Sequence, residues 1–98
     1  MMRIMFTCEL KPDAVDEDLA LLKEVYAELE VKRPAGMRYD TFQADDGVTL
    51  VSLVELEGGP EAMHGLPAFQ RYRSTLEQRC VRPPSMTVLN ELGTYSAP

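Results

Sequence analysis

The chain has no tryptophan, one histidine and two cysteines in 98 residues. Cys8 and Cys80 stand 72 positions apart and form no CxxC pair, so they cannot by themselves build a zinc or iron–sulfur site. Both fall at apolar-phase positions, which suits buried free thiols. Nothing argues for an oxidising compartment, and a cytoplasmic protein is expected. No apolar run approaches the roughly 20 residues that a membrane span takes. The opening Met1-Met2-Arg3-Ile4-Met5-Phe6 lacks the long apolar stretch and small-residue cleavage site of a signal peptide, and reads as a strand. Basic residues are scarce, 10 against 16 acidic, for a net charge of -6. Such a surface repels phosphate, which argues against nucleic acid and anionic membranes as partners. There is no repeat, no low-complexity tract and no linker. A hydrophobic content of 45% is too high for a disordered chain, so residues 1–98 are expected to form one domain around one core.

The pattern along the chain alternates between two periods. From Arg3 to Leu10, Ile4, Phe6, Cys8 and Leu10 share one face of a strand, and Met5, Thr7 and Glu9 the other. Lys11-Pro12-Asp13 breaks it and opens a helix that runs to about Lys32. Asp13 is placed to cap it, and the acidic run to Asp18 suits its first turns. Val15, Leu19, Leu22, Tyr26 and Leu29 make its apolar stripe. Met37 to Ala44 reads as a second strand, Asp45-Asp46-Gly47 as a tight turn, and Val48 to Glu57 as a third strand. A short helical turn at Glu61 to Gly65 precedes a second helix from Pro67 to about Cys80, striped by Phe69, Tyr72, Leu76 and Cys80. Its Arg71, Arg73 and Arg79 read as a solvated face. After Pro83-Pro84, Met86 to Leu92 forms a fourth strand.

The order β-α-β-β-α-β is the ferredoxin-like α+β arrangement: a four-stranded antiparallel sheet with two helices on one face. The third strand is apolar on both sides, with Val48, Leu50, Val54 and Leu56 opposed by Val51 and Leu53. With Met5, the latter two make an open apolar face, which predicts a homodimer through the sheet. Base-stacking readers of this topology are excluded, because the third strand has no aromatic and no basic residue. The loop after the first strand, Glu9-Leu10-Lys11-Pro12-Asp13, is mostly acidic and unsuited to phosphate.

Two stretches carry a resemblance. Glu61-Ala62-Met63-His64-Gly65-Leu66-Pro67-Ala68-Phe69-Gln70-Arg71-Tyr72 and Arg33-Pro34-Ala35-Gly36-Met37-Arg38-Tyr39 resemble segments of the antibiotic-biosynthesis-monooxygenase-like proteins, within the dimeric α+β barrel superfamily. The resemblance implies a cleft between sheet and helices open to a small aromatic molecule. It also implies, in some relatives, oxidation of phenols or quinols by dioxygen with no bound metal or flavin. The missing tryptophan departs from the group's pattern and counts against a haem-opening activity.

His64, the one side chain that naturally titrates near neutral pH, is the expected catalytic base. Tyr39, Phe69, Tyr72 and Asn90 are the expected substrate-binding residues. Each also has a plainer reading: a residue before a helix for His64, core or interface packing for the three aromatics, and an edge hydrogen bond for Asn90. No cofactor and no metal are expected. The rival expectation is a non-catalytic module that binds a small molecule or assembles through the same dimer.

Overall fold

Alternation along Met2–Glu9 gives β1, whose even-numbered side chains Ile4 and Cys8 are buried. The computed structural model describes residues 1–98. A short 3-10 turn, Pro12–Ala14, leads into α1, Val15–Lys32. The strands β2, Met37–Gln43, and β3, Thr49–Leu56, follow as an antiparallel pair. A second 3-10 turn, Pro60–Met63, precedes α2, Pro67–Arg79, and β4, Ser85–Leu89, completes the sheet. The strand order is β2-β3-β1-β4, with each neighbouring pair antiparallel. This is the expected ferredoxin-like α+β fold. No helix is long and apolar enough to cross a membrane.

Register decides what each face carries. Ile4 pairs with Val54, Cys8 with Leu50, and Tyr39 with Val54, so these side chains point to the helices with Leu56, Phe69, Tyr72 and Leu76 in one core. The opposite phase sets Met5 against Leu53 and Phe42 against Val51. Phe42 is 56% exposed and Leu53 37%, so the open face is apolar along its centre. The ion pairs Arg3–Glu55 and Arg38–Asp40 flank it.

The hairpin between β2 and β3 is held by Asp46. Its carboxylate accepts the N–H groups of Val48 and Thr49 at 2.9 and 2.8 Å and the Thr49 hydroxyl at 2.6 Å. Gly47 takes φ 78°, a region that suits glycine. Gly36, at φ 70°, also packs flat on Glu57, where an added Cβ would come within 2.9 Å of the Glu57 Cβ.

Several expectations are corrected. Asp13 caps nothing, and α1 starts without a side-chain cap. The buried face of α1 runs through Asp18, Leu22 and Val25 while Leu19 is exposed, so the stripe lies rotated toward a carboxylate that apolar periodicity passes over. Arg79 is not solvated but 4% exposed. The last strand stops at Leu89, which leaves Asn90 outside it and exposed. Met86 and Val88 point to the helix side yet stay exposed, because the helices do not reach over the β4 edge.

Candidate functional site

The helix α2 presents two surfaces to the rest of the chain, and its N-terminus explains how it is held. Leu66 precedes the helix and offers no capping oxygen. The Glu28 carboxylate of α1 takes that role, accepting the Ala68 N–H at 3.1 Å on both oxygens, and Lys32 beside it donates to the Gly65 carbonyl at 2.9 Å. A negative charge there also meets the positive end of the helix dipole.

Near its other end, α2 is tied to α1 through a buried ion pair. Asp18 is fully buried. One of its oxygens accepts from Arg79 Nε at 2.8 Å and the other from the Tyr72 hydroxyl at 2.9 Å. Each terminal nitrogen of Arg79 donates one further bond, Nη1 to the Thr75 hydroxyl at 2.6 Å and Nη2 to the Tyr72 carbonyl at 3.1 Å. Its guanidinium lies 5.2 Å from the centre of the Tyr72 ring. Every buried polar atom in the network has a partner.

On the sheet side, α2 roofs a cleft. Tyr72, Arg73 and Leu76 stand over Phe6 and Cys8 of β1, Leu50 and Ser52 of β3, and Tyr39 of β2, with Pro84 at the edge. The enclosed space is about 10 Å³, room for about one water. Phe69 backs the cleft, its ring edge-on to Tyr39 at 6.0 Å, and Tyr39 is edge-on to Tyr26 at 5.4 Å. A chain of hydroxyls crosses from α1 through β2 to β3 toward this space. The Tyr26 hydroxyl lies 2.8 Å from Thr41 Oγ1, which lies 2.9 Å from Ser52 Oγ. Tyr26 also reaches the Tyr39 carbonyl at 3.2 Å. Each hydroxyl has one proton to give. If Tyr26 donates to the carbonyl, Ser52 donates to Thr41 and can accept at the cleft. If Tyr26 donates to Thr41, Ser52 keeps a proton to give there.

No lining group with a shifted pKa comes near neutrality. Burial, with Tyr26 nearby, pushes the Tyr39 phenol up to about 12, against a small opposing effect of Ser52. Burial, with Cys80 close by, pushes the Cys8 thiol up to about 12 as well. The Tyr72 phenol is raised by burial and by Asp18. Cys8 and Cys80 are both free and buried. No three His, Cys, Asp or Glu side chains converge to hold a metal ion.

Among the expected site residues, the structure brings Tyr39, Phe69 and Tyr72 together. Tyr72 offers only its ring, since its hydroxyl is committed to Asp18. His64 is exposed, on the turn before α2, whereas Arg73 and Leu76 lie in the second half of that helix. At ~1.5 Å per residue, the start of α2 is on the order of 10 Å from Arg73 along the axis, and His64 does not line the cleft. Asn90 is likewise outside it. Sequence reading passed over Ser52 and Thr41, and set on a solvated face an Arg73 that is half-buried at the cleft. A signal existed for the first two: hydroxyls at Thr41 and Ser52 sit in the apolar phase of adjacent strands.

No protein-family model matches the chain, and neither does any curated protein. Solved structures do match. The chain shares its fold with solved structures of antibiotic biosynthesis monooxygenases. Rv0793 from Mycobacterium tuberculosis superposes with a TM-score of 0.76 at 26% identity, over 97% of this chain and 98% of that one. An antibiotic biosynthesis monooxygenase superposes with a TM-score of 0.74 at 16% identity, over 95% and 100%. SnoaB, a cofactor-independent oxygenase from Streptomyces nogalater, gives 0.70 at 13% identity, over 95% and 94%. At such identities the last two speak for the fold alone.

Proposed function

We propose that the chain is a cytoplasmic, homodimeric protein of the monooxygenase-like kind. It takes a small phenol- or quinol-type aromatic into the cleft under α2 and lets it react with dioxygen without metal or flavin. The observation that carries this reading is the apolar cleft walled by Phe6, Tyr39 and Tyr72, with a hydroxyl chain ending at Ser52. Its balance needs no outside reductant. A phenol and one dioxygen give a quinone and one water: a carbon–oxygen bond forms on the ring, the O–O bond breaks, and the second oxygen leaves with two substrate hydrogens. The protein's part is to exclude water, orient the ring and stabilise the electron-rich anion. His64 has no part in this reading, since its imidazole stands beyond the far end of the helix. The dimer would bury the centre of the open sheet face, including Phe42, Val51 and Leu53. Light scattering should then give twice the 11.0 kDa chain mass for the native protein and the single chain mass for Leu53→Asp.

Oxygen uptake with a panel of phenols and hydroquinones, in the presence of a chelator, tests the chemistry. Protein-dependent uptake that falls in Ser52→Val supports it. Binding without uptake supports the second reading, a non-catalytic small-molecule module. That reading draws on one observation: none of the shifted groups in the cleft lies near neutrality, so a base for the phenol has to come from elsewhere.

A further inference from the structure

The chain has seven arginines, and six of them pair with a carboxylate. Arg3 pairs with Glu55, Arg33 with Glu30, Arg38 with Asp40, Arg71 with Glu24, Arg79 with Asp18 and Arg82 with Glu9. Arg73 alone has none, in a chain whose 16 acidic residues outnumber its 10 basic ones. Glu77, one turn further along the helix, makes no ion pair with it. What holds Arg73 is the Phe6 ring, 5.1 Å below its guanidinium. The residue is half-buried, and it stands between two spaces: the cleft inside, and outside it a groove of about 390 Å³ shared with Gln70, Ser74, Glu77, Pro83 and Pro84.

We infer that this cleft takes its ligand as an anion, with an aromatic body under α2 and a phenolate or carboxylate oxygen on Arg73. This rests on the reading of the cleft as a small-molecule site. Three features support it. A guanidinium offers a planar fork of N–H donors, and an oxyanion is the partner it lacks here. The walls are apolar, which strengthens a charge contact made against them. Ser52 can turn its proton toward the cleft when Tyr26 donates to Thr41, which adds a neutral donor for the same oxygen.

The same residue stands at the point of entry. A space of about 10 Å³ admits no ring, so the mouth has to open. A half-exposed cation on a ring is worth about 0.5–1 kcal/mol. Arg73 can therefore swing outward at small cost, uncover Phe6 and close again over the anion.

The test uses 4-nitrophenol, which colours when it ionises, benzoate, and 4-nitroanisole as the neutral isostere. Calorimetry on the full chain should show both anions binding at least about tenfold more tightly than 4-nitroanisole, a preference of about 1.4 kcal/mol. The bound nitrophenol should ionise at lower pH than it does free. Arg73→Met should lose the preference and the shift, while its denaturation midpoint shows it folded; Arg73→Lys should keep part of both. Binding by nitrophenol without benzoate would assign the site to phenolates, and the reverse to carboxylates. Equal binding of 4-nitroanisole, or a preference that survives in Arg73→Met, overturns the anion and leaves the aromatic cleft standing. No binding by any of the three overturns both.

Discussion

Arg73 and Arg79 lie six residues apart on one helix, and each rests on an aromatic ring at about the same distance, 5.1 and 5.2 Å. Their surroundings are opposite. Arg79 is enclosed and Asp18, Thr75 and the Tyr72 carbonyl take up its N–H groups. Arg73 stands at a mouth and makes no ion pair, Glu77 in the outer groove included. A buried charge must find its partners within the protein, because desolvation otherwise costs several kcal/mol. A half-exposed one can wait for a partner from outside, since water meets its needs meanwhile. On this helix the saturated arginine fastens the fold, and the unsaturated one is free to serve a ligand.

The largest effect should fall on the saturated side. Asp18→Ala leaves Arg79 buried and unpaired and should cost about 3–5 kcal/mol in urea denaturation. Replacing both partners, Asp18→Leu with Arg79→Met, should recover much of that, since it removes the uncompensated charge as well. A midpoint unchanged in Asp18→Ala would break the contrast between the two arginines.

Alkaline pH probes the cleft beneath Arg73. The ordinary values of 9.0 for Cys8 and 10.0 for Tyr39 are raised to about 12 in the fold, chiefly by burial. Below pH 9 both are protonated in the folded and the unfolded chain, and neither affects stability. Between pH 9 and 12 the unfolded chain releases protons that the folded chain keeps, so stability falls as pH rises. The slope is at most about 1.4 kcal/mol per pH unit for each group. Tyr39→Phe should flatten the decline above pH 10 in guanidinium titrations. An equal slope in that variant would mean the phenol is not the buried group described.

A smaller loss is expected at the start of α2. Glu28→Ala removes the acceptor for the Ala68 N–H and should cost about 1–2 kcal/mol, with faster amide exchange at Ala68 and Phe69. Arg73→Met should move stability least, by about 0.5–1 kcal/mol, while changing ligand preference most. A large stability loss there would place Arg73 beside Arg79 as a structural group.

The sequence made some of this legible. Alternation in β1 and β3, the Asp-Gly turn and the stripe of Phe69, Tyr72 and Leu76 are local signals, and each appears where its period put it. Phe42 is the instructive omission on the open face: its strand mixes polar and apolar residues, and only the pairing with Val51 shows that it extends the apolar centre. Asp18 failed for a related reason. A carboxylate in the first turn of a helix satisfies a local rule, and its partner lies 61 positions away.

The apolar periods of this chain, by themselves, determined its element order and its ferredoxin-like topology. These follow from contacts within a helix turn or along a strand, where sequence spacing is distance. Only the tertiary structure decided which charges are satisfied. It gave α2 its cap from Glu28, closed Asp18 onto Arg79, put His64 beyond the cleft and left Arg73 without a partner. Pairing across segments, as of Asp18 with Arg79, depends on which distant stretches the fold brings within 4 Å, and no local pattern records that.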